Sequence, residues 1–219
     1  TEATLYGLLE VIERDAWAVA RLSRRGRPVD LCASPSERLR ELVATLGRLE
    51  IGLEVHRLES IGGVHTHVAA LRDRQRDGDV FPAYGLCAHP DPWIALEQAV
   101  IEATQSRLVV MTEAREDRER LAADQRRARH SRRGPAEAWL ADGGAPVPAP
   151  AAPLRPPVDL ADVVDDIVDR MATEGFDRVV KIRLNPPDDP LAVVRVLVPG
   201  ASEAMHRAFW LGRRVRLRT

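Results

Sequence analysis

Residues Thr1–Leu22, TEATLYGLLEVIERDAWAVARL, decide how this chain is read. At about 100° per residue, Leu5, Leu8, Leu9, Ile12, Ala16 and Val19 line up as one apolar stripe, the pattern of a helix packed on a core. Glu2, Tyr6, Glu10, Glu13 and Trp17 occupy the other side. Glu2 and Glu13 fall within roughly 20° of one another and Glu10 about 60° to the side, so three carboxylates share a face, with Arg14 as the nearby countercharge. Like charges at this spacing repel by about a few tenths of a kcal/mol per pair. One reading is a solvated acidic face. The other is a magnesium site, because a hard cation takes carboxylate oxygens, usually one or two, together with phosphate and water. Spacing leaves both open.

The 219 residues suffice for one large domain or two small ones, and 45% hydrophobic with 30% charged residues favours a packed core over disorder. A net charge of −1 makes no global case for nucleic acid. Cys32 and Cys87 form neither a disulfide framework nor a zinc set, which points to core thiols in a cytoplasmic setting. No apolar run reaches the ~18 residues of a membrane span, and no signal peptide opens the chain. The first residue is Thr1, a weakly supported N-cap with no methionine and no lead-in, so the chain reads as a piece of a longer protein.

Beyond the first helix, Gly26 and Pro28 stop it, and a short edge at Val29–Leu31 follows. Ser34-Pro35-Ser36-Glu37 resembles a cap with proline in the first helical position, opening a helix to about Leu49. Alternation predicts strands at Ile51–Leu58 and Val64–Leu71, a polar hairpin-like segment over 72–79, and a shorter strand at Val80–Leu86. His65 and His67 share a strand face without a third ligand at a supporting local spacing, so a structural role is expected. Asp91-Pro92 opens a second long helix, to roughly Ala114, with Ile94, Ala95, Val100, Ile101, Thr104, Leu108 and Met111 as its buried face. Glu102 and Gln105 neighbour one another on it. The charged stretch 113–133 lacks interleaved aromatics and is a poor single-strand nucleic-acid platform. Residues 143–157 form a Pro/Ala-rich linker of semi-rigid character. A helix at Val158–Thr173, strands at Arg178–Leu184 and Leu191–Val198, and a short helix from Ser202 complete the chain. The organisation expected is thus residues 1–142, a linker at 143–157, and a helix-strand-strand segment at 158–219 of the same domain.

Three stretches carry a resemblance to a known family. Glu10-Val11-Ile12-Glu13-Arg14-Asp15 resembles the ExxERD helix of the YcaO proteins, with Glu2-Ala3 at their upstream EEA position. Gly85-Leu86-Cys87-Ala88-His89-Pro90-Asp91-Pro92, then Ala95-Leu96, Glu102-Ala103 and Gln105-Ser106-Arg107, resembles their GxGxHpdp…AL…EAxQSR block, with Cys87 in place of the second glycine. Val196–Gly200 resembles the strand-ending VPG near their C-terminus, and Arg115-Glu116-Asp117 stands where Arg-Asp-Asp is usual. The branch that works with TfuA partners is the most similar.

The resemblance implies an α/β (α+β) fold, a mixed β-sheet packed with long helices, here N-terminally incomplete. It implies ATP and Mg2+ as cofactors, bound without a glycine-rich phosphate loop, and no such loop occurs here. Carried over by position, Glu2, Glu10 and Glu13 would face metal, while Arg14 and Arg107 would contact phosphate. The implied chemistry is phosphorylation of a backbone amide oxygen in a peptide or protein substrate, leading to a thioamide or an azoline, with a thioamide expected for the TfuA-linked branch. A TfuA-like protein is the implied partner, with a homodimer left open and neither nucleic acid nor membrane expected. The family's upstream Ser/Asn segment and second ExxE pair are absent from these residues. The alternative is therefore a non-catalytic YcaO-like fragment that acts as a binding or scaffolding module.

Overall fold

The computed structural model describes residues 1–34, 36–73, 83–111, 140, 144–150, 159–205, 208–210 and 212–216. The opening helix, α1 (Glu2–Ser23), buries the whole predicted stripe, and ends on Arg24 in the left-handed conformation. Thr1 is its N-cap residue, but the Thr1 side chain makes no capping hydrogen bond. Two residues assigned to the polar side or left unassigned are in fact buried. Trp17 packs against the sheet beside Tyr84, and Asp15 is fully enclosed.

After α1 come β1 (Arg27–Asp30), α2 (Glu37–Arg48), β2 (Ile51–Leu58), β3 (His65–Asp73), β4 (Ala83–His89) and α3 (Pro92–Met111). Then follow β5 (Val147–Pro148), α4 (Leu160–Thr173), β6 (Val180–Arg183), β7 (Val194–Leu197), β8 (Glu203–Met205), β9 (Ala208–Trp210) and α5 (Arg213–Arg216). One mixed sheet runs in the order β4-β3-β2-β1-β5, antiparallel except for the β1–β5 pair. The expected edge at Val29–Leu31 is thus interior, between β2 and β5. Val147–Pro148 joins it from inside the Pro/Ala-rich segment, so this part of the segment belongs to the sheet.

The sheet separates two apolar layers because side chains alternate along each strand. Val68 and Ala70 of β3 face Ala16, Trp17 and Ala20 of α1. Ala69 and Leu71 face the other way, onto Leu39 and Leu46 of α2 and Leu96, Ala99, Val100 and Ala103 of α3. Toward its N-terminus α1 packs on Ile167 and Met171 of α4, on Phe176 and on Val196 of β7. Burying one such aliphatic side chain contributes roughly 1.5–3 kcal/mol, so both layers hold the helices that carry the site.

Several local expectations shift. Ser36, not Ser34, caps α2, its hydroxyl accepting from Leu39 N–H. β3 runs on to Asp73, and β4 begins at Ala83 rather than Val80. On α3, Ala95, Leu96, Ala99, Val100 and Ala103 are the buried face, whereas Thr104 and Leu108 are exposed. The strands expected at Arg178–Leu184 and Leu191–Val198 shorten to Val180–Arg183 and Val194–Leu197. The helix expected from Ser202 is instead the antiparallel pair β8–β9. The stretches 113–133 and 74–82 lie outside the described residues. Among the described residues no helix is long and apolar enough to cross a membrane.

Candidate functional site

Among the described residues β4 is an edge strand of the sheet, hydrogen-bonded to β3 on one side only. In an antiparallel pair alternate residues turn their N–H groups away from the partner, which leaves an open edge. Here those outward groups include Leu86 and Ala88. Leu86 N–H donates to Glu102 Oε2 at 3.0 Å, and the Ala88 N–H lies toward the Glu13 carboxyl and favours its charged form. The open edge is therefore covered by two acids from two different helices.

Local sequence explains why they meet there. Ala95, Ala99 and Ala103 recur at four-residue spacing on the face of α3 that touches the sheet. Gly85 lies under them, and a methyl at that position would run into the backbone of Ala99 and Ala103. Small residues on both surfaces let α3 lie close enough for Glu102 to reach Leu86. Asp91 fixes the start of α3, its Oδ1 accepting from Trp93 N–H at 2.8 Å and Ile94 N–H at 3.2 Å. Asp91 N–H in turn donates to His89 Nδ1 at 2.9 Å.

Glu10 completes the group and is tied to Arg14. Arg14 Nε donates to Glu10 Oε1 at 2.7 Å, and Arg14 Nη1 meets Glu203 Oε1 at 2.9 Å. Burial, together with Glu10 and Glu102, pushes the Glu13 carboxyl up to about 8, against the Ala88 N–H and Arg14, which pull it down. Partial desolvation also raises Glu102, opposed by the Leu86 N–H and helped by Glu10. Cys87 sits between the two edge residues, and its thiol is pushed up to about 12 by burial and then by Glu13 and Glu102. A thiol so raised keeps its proton at neutral pH. Desolvation works to lower Arg14, but Glu10 and Glu203 outweigh it and raise it further.

Glu10, Glu13 and Glu102 thus form an acidic group whose mutual repulsion a divalent cation would relieve. Among the described residues no group of three or more Asp, Glu, His or Cys side chains is arranged to hold a metal ion. Magnesium needs only one or two carboxylates when phosphate and water complete its octahedron, so these residues fit a magnesium–phosphate group. The remaining expected residues lie farther out. Glu2 is exposed on the first turn of α1, roughly 16 Å along the axis from Glu13. Arg107 is half-buried on α3, five residues and about 140° around the axis from Glu102. His67 is buried beside Cys87, pushed down to about 4 by burial and then by His65 and Arg57, and among the described residues its Nδ1 has no hydrogen-bond partner.

Glu102 and Glu203 are the site residues that sequence reasoning did not assign. Glu102 stands inside the quoted EAxQSR block, which was its available signal. Glu203 follows VPG by three residues and has no helical or strand spacing to Arg14.

The family model described as YcaO cyclodehydratase, ATP- and Mg2+-binding, matches residues 1–202. The chain belongs to the YcaO family. A Rhizobium leguminosarum bv. trifolii protein, described as an uncharacterized protein in the tfuA 3′ region, is 27% identical over 221 residues, covering 91% of this YcaO chain and 49% of that protein. The structure of YcaO from Methanopyrus kandleri bound with AMPPCP and Mg2+ superposes with a TM-score of 0.68 at 24% identity, over 90% of this chain and 51% of that one. The heterocyclase TruD gives a TM-score of 0.72 at 23% identity, over 96% of this chain and 28% of its own. At these identities the two solved structures speak for the fold, a mixed α/β sheet with packed helices. This YcaO chain spans about half the length of the curated relatives it matches.

Proposed function

We propose that this YcaO chain forms the magnesium- and phosphate-binding part of an enzyme that modifies a backbone amide of a peptide or protein at the expense of ATP. The observation that carries the proposal is the meeting of Glu13 and Glu102 on two outward N–H groups of one edge strand, with Glu10 and Arg14 beside them. Glu10, Glu13 and Glu102 supply the carboxylates for the cation, and Arg14 and Arg107 neutralise phosphate, while Glu2, roughly 16 Å along α1 from Glu13, lies too far to share that cation. When bound, Mg–ATP supplies the phosphoryl group that makes an amide oxygen a competent leaving group. The Leu86 and Ala88 N–H groups hold Glu102 and Glu13 toward the strand edge, and an arriving cation would displace to solvent the proton that Glu13 keeps up to about 8. The chain's similarity to a protein from a tfuA region supports a TfuA-like partner and a thioamide product, with an azoline as the alternative product.

A second reading, a non-catalytic binding module, draws on the lack, among the described residues, of a group of three side chains arranged to hold a metal ion. Thermal unfolding with ATP and MgCl2 separates the readings from a chance acidic face, because a ligand bound only to the folded state raises the midpoint with occupancy. The native chain is expected to gain several degrees, and the Glu10→Gln/Glu13→Gln variant to gain none. Equal behaviour of the two proteins would show that these carboxylates do not hold the nucleotide metal. A midpoint gain without ATP turnover on a peptide would favour the binding module.

A further inference from the structure

Arg14 is held from two sides. Its Nε and Nη2 both reach Glu10 Oε1, at 2.7 and 2.6 Å, and its Nη1 reaches Glu203 Oε1 at 2.9 Å. Glu10 is one turn away on the same helix, whereas Glu203 arrives from 189 residues downstream. Its approach is built. Ser202 N–H donates to Asp15 Oδ1 at 2.7 Å, and Asp15 is fully buried. The other Asp15 oxygen takes Arg214 Nη1 at 2.5 Å, and Arg214 Nη2 donates to the Glu59 carbonyl at 3.0 Å. Ser202 Oγ accepts from Gly212 N–H at 3.1 Å, in a contact where Gly212 has no room for a side chain against Gly200 and Ala201. Two consecutive residues of α1, Arg14 and Asp15, thus hold two consecutive residues of the C-terminal segment, Glu203 and Ser202.

We infer that Glu203 is a positioning residue for Arg14, keeping its guanidinium aimed at a phosphate when Glu10 turns to the metal; the inference rests on the nucleotide reading above. One arginine facing two carboxylates is more than neutralised, so one acid is spare. Glu10 is the acid with a second task, because it belongs to the group with Glu13 and Glu102. Its departure releases Nε and Nη2, two N–H donors in a parallel fork that matches two phosphate oxygens. Glu203 keeps Nη1 and prevents the side chain from rotating away, and the buried Asp15–Ser202 bond prevents Glu203 itself from following. The Arg14–Glu203 pair is too exposed to matter much for stability, with 53% of the Glu203 side chain accessible, so its value lies in orientation.

Calorimetric titration with AMPPCP and MgCl2 tests this on the native chain, Glu203→Ala and Glu203→Gln. Glu203→Ala is expected to bind about tenfold more weakly with an unchanged unfolding midpoint. Glu203→Gln, whose amide oxygen still accepts from Nη1, is expected to recover most of the loss. That rescue is what a merely structural role would not produce. Equal or tighter binding by Glu203→Ala would overturn the inference while leaving the nucleotide reading intact, because Glu203 would then be a bystander or a competitor of phosphate. A native chain that binds no AMPPCP would overturn both.

Discussion

Half-buried Glu13 and buried His67 are titratable groups displaced in opposite senses, and that sets where this protein should respond to pH. The folded Glu13 keeps its proton up to about 8, while the unfolded chain releases it near the ordinary carboxylate value. The unfolded state then binds fewer protons, so stability falls as pH rises toward 8. His67 is held neutral down to about 4, so below 6.5 the unfolded state binds more protons and stability falls as pH drops. His56, His65 and His89 are also lowered and act in that same acidic range. Histidines of the unfolded chain titrate around 6.5 and oppose Glu13 there, so the Glu13 slope stands clear only above about pH 7.5, where stability should fall by up to about 1.4 kcal/mol per pH unit until the folded Glu13 ionises. Glu13→Gln should flatten that slope, and MgCl2 should reduce it. Native and Glu13→Gln profiles that run parallel above pH 7 would contradict the raised Glu13. At this scale Glu10, Glu13 and Arg14 are legible in the sequence because one helix spaces them. Glu102 and Glu203 are not, because a strand edge and a C-terminal turn bring them in.

The element that sets the site's geometry is α3, and its burial is where periodicity misleads. Large apolar residues draw the predicted face toward Thr104 and Leu108, yet Leu108 is 61% exposed and three alanines make the contact. A close helix–sheet approach selects small residues, which a hydrophobicity pattern weights least. Gly85 is the other half of that contact. Gly85→Ala is expected to cost about 1–3 kcal/mol, as overpacked cores do, lowering the midpoint by several degrees. It should also weaken nucleotide binding, since α3 must lift Glu102 off Leu86 to make room. Full stability in Gly85→Ala, read by thermal unfolding, would show that the helix and strand are less tightly apposed. The β8–β9 pair is missed for a different reason. Its residues are too few to carry a period, and long-range bonds from Asp15 and Arg14 hold Ser202 and Glu203.

Across the whole molecule, three layers and a C-terminal segment stitched onto α1 converge on one corner, the open edge of the sheet. The layered α/β fold is legible from the order of helices and alternating strands, and the interior place of β1 is not, because Val147–Pro148 pairs in parallel from a segment that reads as linker. The central claim is that acids from α1 and α3 act together on one cation. A double-mutant cycle tests it most directly, with AMPPCP and MgCl2 titrated into the native chain, Glu13→Gln, Glu102→Gln and the double variant. If the acids share a cation, each single change weakens binding about tenfold or more, and the double variant is scarcely weaker than either single one. Native affinity in Glu102→Gln, or two losses that simply add, would contradict it.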